Sequence, residues 1–331
     1  MKMNVLSLFG GVECGYPAFL DNEIEIENYY SCEIDLYAKA ITRFNIEKAV
    51  DLGDVTQTNF NKLENINIVV GGSPCTYWSI AKKERETTSE GIGYDLFMQF
   101  VRAVKETKAK YFLYENNFSI HKDIKDAITK ELGVELIMIN SSTVTAQSRK
   151  RCYWTNIPNI IQPNDLGLCI KDILEYEVSE KYNVNQTAIA KYVKNGKPKG
   201  FKQLDEKANT VTASVHKGYG NDGCTIVRVG HFNKGDQADR VYSENGKSVT
   251  LSTNGGGREA RTGLYKIGDK IRRLTPLEAE RLQTLPENWT KFGKKEDGTI
   301  FEVSDSQRYK CIGNGWSSKV ISHILSFIPK E

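Results

Sequence analysis

The sequence predicts an α/β protein: a doubly wound, mostly parallel sheet joined to a smaller, loop-rich domain that contains β structure. Three observations carry that expectation. Apolar strand-like runs alternate with helix-like runs through the first half, which is the pattern of βαβ units. The run NINIVV is nearly continuous in β-branched residues, as a strand covered on both faces of a parallel sheet would be. Beyond about Pro158 the alternation stops, and Gly, Asn, Lys and Thr take over.

Taken in order, NVLSLF reads as strand one and is followed by a glycine turn and an apolar segment at residues 16–20. YYSCEID is strand two, with the helix-like LYAKAITRF behind it, and a short strand is expected before the GDV around Asp54. NINIVV is the next buried strand. DLFMQFVRAVKETKAK places apolar residues at helical spacing and leads into the strand KYFLYEN. The helix-like DIKDAITKEL precedes the strands VELIMIN and RCYWTNI. These boundaries divide the chain into residues 1–163, the alternating α/β domain; 164–270, the loop-rich domain; and 271–331, a return segment. In the last of these, SSKVISHILSFI carries one apolar helical face and is expected to pack back onto the sheet. Within 164–270, NTVTASV and KSVTLST share a Thr/Ser-Val-Thr core and read as repeated hairpins.

Composition narrows the class. A chain of 331 residues, 39% hydrophobic and 26% charged, has material for one large domain and a smaller one. No apolar run reaches the roughly 18 residues that a membrane span requires, and the chain starts in a strand-like run without a signal-peptide pattern. Seven cysteines with no C-x-x-C pair indicate neither a disulfide framework nor a metal site, so reduced thiols in a cytoplasm are expected. A net charge of +3 is too small to demand a nucleic-acid partner. Its cations do cluster: Lys82, Lys83 and Arg85 in one loop, and Lys191, Lys194, Lys197, Lys199 and Lys202 in another, as a phosphate footprint would.

Four short stretches carry chemistry. In NINIVVGGSPCTYWSIA, two glycines end a strand and Pro74 stiffens the next turn, which places Cys75 at the strand's C-terminal end, where open α/β sheets bind ligands. Such a thiol is either a small space-filler or a nucleophile. LFGGVECG, residues 8–15, is a glycine turn between a strand and a helix without the Gly-Lys-Ser/Thr ending of a phosphate loop. Glu33, 18 residues beyond Gly15, sits where a carboxylate can take ribose hydroxyls, and Asp54 can accept from an adenine amine. YFLYENN ends an apolar strand with Glu115 and Asn116, where partial desolvation favours the protonated acid. QSRKRCYW alternates Gln147, Arg149 and Arg151, sending both arginines to one face of an extended segment.

In that order, LFGGVECG, GGSPC, YENN and QSRKR resemble the DNA cytosine-5 methyltransferase family, prokaryotic or phage type. The likeness continues through RRLTPLEAERLQTLPENW and YKCIGNGWSSKV to the C-terminus, leaving out only the variable middle. The resemblance implies the Rossmann-like fold of S-adenosylmethionine-dependent methyltransferases and methyl transfer to C5 of a flipped-out cytosine in a specific duplex DNA sequence. Cys75 would add to C6, Glu115 would hold N3 and the exocyclic amine, and Arg151, assisted by Arg149, would hold the O2 side. Phe9, Gly10, Gly11, Gly15, Glu33, Asp54, Pro74 and Asn314 would bind S-adenosyl-L-methionine, released as S-adenosyl-L-homocysteine, with no metal. Asn116, Gln147, Lys82, Lys83 and Arg85 would line the substrate side, and a cationic loop at 81–93, with two glycines as hinges, would close over the base. Residues 1–163 would be the catalytic and cofactor-binding domain, and residues 164–270 the target-recognition domain. The expected setting is a bacterial cytoplasm or phage-infected host, as a monomer on duplex DNA with no membrane partner, and with any cognate restriction endonuclease acting separately. Three departures stand out: Ser7 where many members have aspartate, Asn117 in YENN where E-N-V is usual, and Gly315 where Ser or Ala is common. The competing readings are the same chemistry on RNA, a DNA-binding module without catalysis, and folate-dependent pyrimidine hydroxymethylation.

Overall fold

The computed structural model describes residues 1–79, 84–184, 226–231, 240–251 and 263–330, together with the backbone of 193–194, 197–198 and 202–203. Seven strands form the main sheet: β1 Lys2–Leu8, β2 Glu25–Cys32, β3 Ala49–Asp51, β4 Ile68–Gly71, β5 Tyr111–Asn117, β6 Ile137–Asn140 and β7 Lys150–Thr155, in the order β3-β2-β1-β4-β5-β7-β6. The ladders from β3 to β5 are parallel, whereas β7 runs antiparallel to both β5 and β6. The sheet is therefore doubly wound and mostly parallel, as expected, with an antiparallel strand inserted near one edge. Strand order reverses between β1 and β4, which opens a crevice at the strands' C-terminal ends.

Both faces of this sheet are covered. Along β1, Val5 joins the core on one side while Leu6 and Leu8 join the core on the other, and Ile68 and Val70 alternate in the same way with Val69. One face is closed by α1 (Tyr16–Asp21), α2 (Leu36–Asn45) and the C-terminal α7 (Ser318–Leu325), through Phe19, Ile41, Val320 and Ile324. The other is closed by α3 (Ile92–Thr107) and α4 (Lys122–Leu132), through Phe97, Phe100, Ile124 and Ile128. The return helix is tied to α1 by Asn22, whose Nδ2 donates to the carbonyl of Ser322 at 2.9 Å.

The second part of the chain builds its own sheet. A two-stranded ladder, β8 Val193–Lys194 with β9 Lys197–Pro198, precedes a five-stranded sheet of β10 Lys202–Gln203, β11 Arg228–His231, β12 Arg240–Ser243, β13 Leu264–Ile267 and β14 Lys270–Arg272. A further hairpin, β15 Phe292–Lys294 with β16 Ile300–Glu302, lies against α2 through the tilted ring pair of Phe44 and Phe292. The helix α5 (Pro276–Leu282) starts on a capping box: Thr275 Oγ1 accepts from the Glu278 N–H, and the Glu278 carboxylate accepts from the Thr275 N–H. Glu278 also takes both terminal nitrogens of buried Arg272 at 2.6 and 2.7 Å, so β14 and α5 are locked together. Of the two hairpins expected from sequence, NTVTASV lies outside the described residues. Of the second, KSVTLST, only residues 247–251 are described, and there Ser248 makes an isolated parallel bridge to Gln147.

Among the described residues five cysteines are free, whereas Cys169 is disulfide-bonded, which departs from the expectation of reduced thiols at that position. Among the described residues there is no group of His, Cys, Asp and Glu that could hold a metal, and no helix long and apolar enough to cross a membrane.

Candidate active site

The site lies along the C-terminal edge of the main sheet. β4 ends in Gly71, and the chain then turns through Gly72, Ser73 and Pro74 into a 3-10 turn over Cys75–Tyr77. A methyl group has no place at Gly72: a Cβ there would lie 2.8 Å from the Glu115 carbonyl and 3.0 Å from Glu115 Oε2. The turn is anchored to β5 beside it. Asn116 Nδ2 donates to the Ser73 carbonyl at 3.1 Å and to Tyr114 Oη at 3.2 Å, while Ser73 Oγ and Tyr114 Oη meet at 2.6 Å. Asn116 thus holds the cysteine turn.

Cys75 reaches the surface at the end of this turn. Desolvation by the surrounding protein raises its thiol pKa. Arg151 is the strongest opposing influence, Glu115 adds to the rise, and Arg149 lowers it. The same groups that surround the sulfur therefore set its reactivity, since the thiolate is the nucleophile. Cys14, Cys152 and Cys311 are buried and pushed up to about 12 by desolvation, as is Cys32. Among these five free thiols, Cys75 is expected to be alkylated first by iodoacetamide, at a rate that rises with pH through the alkaline range as the thiolate forms. R151Q is expected to slow that reaction at pH 8. Peptide mapping by mass spectrometry reads both, and preferential labelling of another of these cysteines would contradict them.

Glu115, buried near the end of β5, is gripped on both oxygens. Arg151 Nε stands 2.9 Å from Oε1, and the Trp316 indole N–H donates to Oε2 at 2.9 Å. Arg149 does something different. It is buried and turns its guanidinium to backbone carbonyls, donating to Gly315 at 2.9 Å, Gly313 at 3.1 Å and Leu251 at 3.4 Å. Burial, with Arg151 nearby, lowers its pKa to about 9. The alternation of the two arginines was legible in the sequence, but their partners differ. Gln147 is fully buried, with neither amide atom hydrogen-bonded. Arg85 donates to the Ser119 carbonyl at 3.0 Å, and Lys82 and Lys83 lie outside the described residues. Of the two glycines expected as hinges, Gly93 falls inside α3, where a Cβ would lie 2.5 Å from the Trp78 indole nitrogen. Glu86 further fixes that end by accepting from Trp78 Nε1 at 3.2 Å and from the Gly93 N–H at 3.1 Å.

On the other side of the crevice, the loop after β1 places Phe9 and Gly11 in the left-handed region, at φ 57° and 56°. Gly11 has open space where its side chain would be, and its N–H donates to Glu33 Oε2 at 2.8 Å. Glu33 Oε1 accepts from the N–H groups of Ile34 and Asp35, so its carboxylate is fixed at the end of β2. Asp54, exposed after β3, accepts from the N–H and hydroxyl of Thr56 through Oδ1. Pro74 is exposed before Cys75, Gly15 packs against Trp316, and Asn314 is exposed at the end of α6 (Asp305–Asn314).

Two departures from the family pattern find physical reasons here. Ser7 Oγ donates to Glu13 Oε2 at 2.7 Å, and Tyr29 Oη (2.6 Å) and Ser31 Oγ donate to the same carboxyl. Glu13, from the loop, thus supplies beneath β1 the acid that Ser7 lacks; its burial raises its pKa despite those three donors. Gly315 is required by Cys14, because a Cβ would sit 2.4 Å from the Cys14 sulfur. G315A is expected to destabilise the fold by about 1–3 kcal/mol through overpacking, with most of the loss recovered in C14A/G315A. Thermal melts of the two variants and of C14A check this; equal melting temperatures for wild type and G315A would refute it. Nothing in the sequence pairs positions 14 and 315, so neither this contact nor the grip of Trp316 on Glu115 was foreseen.

A sheet that reverses strand order, a glycine-rich loop with a spaced carboxylate on one half, and a proline-cysteine turn beside a clamped glutamate on the other define a methyltransferase-type enzyme. The chain belongs to the C-5 cytosine-specific DNA methylase family, whose model matches residues 3–330. It is 27% identical over 345 residues to the type II methyltransferase M.HhaI of Haemophilus parahaemolyticus, covering 98% of this chain and 93% of that one. It is 28% identical over 324 residues to the orphan methyltransferase M.Rho11sI of Bacillus phage rho11s, covering 82% of this chain and 61% of the phage protein. Among solved structures the fold is similar to the Entamoeba histolytica methyltransferase EhMeth, with a TM-score of 0.65 at 16% identity, covering 99% of this chain and 98% of that one. It is also similar to the S. pombe Dnmt2 methyltransferase, with a TM-score of 0.62 at 15% identity, covering 98% of this chain and 97% of that one. The protein is accordingly a DNA cytosine-5 methyltransferase.

Proposed function

We propose that the chain methylates C5 of a cytosine extruded from a specific duplex DNA sequence, with Cys75 as a transient covalent nucleophile. The observation that carries this reading is the juxtaposition of an exposed thiol on a stiff turn with a Glu115 carboxyl held by Arg151 and Trp316. Cytosine C5 is a poor nucleophile. When the Cys75 thiolate forms a bond to C6, the ring's electrons move to C5, which becomes an enamine carbon able to take a methyl group. Glu115 holds N3 and the exocyclic amine and supplies the proton that keeps charge from building in the ring, while Arg151 lies toward the O2 side. Loss of the C5 proton to solvent then leaves the electron pair that expels the thiolate, and N3 returns its proton to Glu115 as the aromatic ring is restored.

S-Adenosyl-L-methionine, when bound, supplies an electrophilic sulfonium methyl group. The residues fit an adenosyl ligand: Gly11 leaves open space at the loop, Glu33 is fixed at the end of β2 for ribose hydroxyls, Asp54 follows β3, and Phe9, Gly10, Gly15, Pro74 and Asn314, the last at the end of α6, would complete the site. A base inside a duplex cannot present C6 to a thiol, so the target must leave the stack. Residues 164–270, with the lysines at 191, 194, 197, 199 and 202, would read the groove and phosphates, joined by Lys82, Lys83 and Arg85 from the cysteine loop. Methyl transfer from radiolabelled S-adenosylmethionine to duplex DNA and to tRNA tests the substrate. Incorporation into duplex DNA is expected, and incorporation into tRNA alone would overturn the DNA reading.

A further inference from the structure

We infer that Trp316 is a positioning residue for Glu115, and that Arg149 acts on the same carboxyl from a distance by fixing the backbone from which Trp316 projects. The inference rests on the catalytic role proposed above for Glu115. A carboxylate that must meet two neighbouring atoms of a pyrimidine has to keep its plane, yet the last torsion of a glutamate is soft. A single donor leaves that torsion free. Two donors on different oxygens fix it, and each oxygen keeps a position for the base: a lone pair for the exocyclic amine on one, and the proton for N3 on the other.

The structure has that arrangement. Arg151 Nε stands 2.9 Å from Oε1, and Trp316 Nε1 donates to Oε2 at 2.9 Å. The indole itself is lodged between two bare backbones: a Cβ on Gly72 would lie 3.4 Å from Nε1, and one on Gly15 would lie 3.3 Å from the ring. Trp316 therefore touches the cofactor loop with its ring and the catalytic carboxyl with its N–H. The link between α6 and α7 that carries it is held in place by side chains from other elements. Arg149 donates to the carbonyls of Gly313 and Gly315, and Gln283 Nε2 donates to those of Ile312 at 2.9 Å and Gly315 at 3.2 Å. The two arginines of QSRKR thus secure both oxygens of Glu115, one directly and one through the backbone ahead of Trp316.

Steady-state kinetics of W316F and W316A test the assignment. Phenylalanine keeps a ring against Gly15 and removes only the N–H. W316F is expected to lose about 10-fold or more in kcat, the size of a lost hydrogen bond to a charged group, while KM for S-adenosylmethionine stays within about 2-fold. W316A, which also removes the ring, is expected to raise that KM in addition. Thermal melts confirm that both variants are folded. A W316F enzyme with wild-type kcat, or one whose KM rises as far as that of W316A, would overturn the inference. A wild-type chain with no turnover on any cytosine substrate would instead defeat the role assigned to Glu115.

Discussion

Replacing Cys75 by serine is expected to lower methyl transfer to duplex DNA by at least about 10⁴-fold, the scale of removing a covalent nucleophile from a site built around it. An alcohol in the same place is a far weaker nucleophile, because almost none of it ionises near neutral pH. The fold has little reason to notice the change, since the side chain is exposed on a turn secured by Asn116, Ser73 and Tyr114 rather than by the sulfur. Binding of S-adenosylhomocysteine should also persist, because the loop at 9–15 and Glu33 lie on the other half of the crevice. Titration calorimetry and a radiolabel assay separate these effects. Loss of cofactor binding together with activity would mean that Cys75 serves the architecture.

Glu115→Gln is expected to reduce kcat by about 10²–10⁴-fold, the usual range for a positioned acid or base. The amide keeps the size of the side chain and an oxygen for one of the two donors. It presents an NH2 group to the other, so the double grip by Arg151 and Trp316 cannot be reproduced. It also has no acidic proton to give to N3. Because Glu115 is buried between those donors, part of the loss will be geometric, and single-turnover measurements with saturating DNA isolate the chemical step. A variant within threefold of wild type would remove Glu115 from the mechanism.

The core of the fold was legible wherever local sequence dictates burial. NVLSLF, NINIVV and KYFLYEN are apolar on both faces, and the structure buries Val5 and Leu6, Ile68 and Val69, and Leu113 and Tyr114 on opposite sides of one sheet. The insertion of β7 between β5 and β6, antiparallel to both, was not legible, because strand order is fixed by long-range pairing and leaves no local pattern. The site divides in the same way. Cys75, Glu115 and Arg151 stood out because turns and strand ends advertise them. Trp316, Glu13 and the contact of Cys14 with Gly315 did not, because each matters only through a partner far away or on another element. Arg149 marks the boundary: its spacing from Arg151 was visible, but the carbonyls it binds, more than 100 residues away, were not.

The most direct measurement is a covalent trap. Incubation of the chain with duplex DNA containing 5-fluorocytosine in its recognition sequence and with S-adenosylmethionine should give a complex that survives denaturation, because fluorine at C5 blocks the loss of a proton that would release the thiolate. Proteolysis and mass spectrometry should place the modified base on the peptide containing Cys75, and C75S should give no complex. No adduct with wild-type protein that methylates the unmodified DNA, or an adduct on a different residue, would contradict the assignment of Cys75.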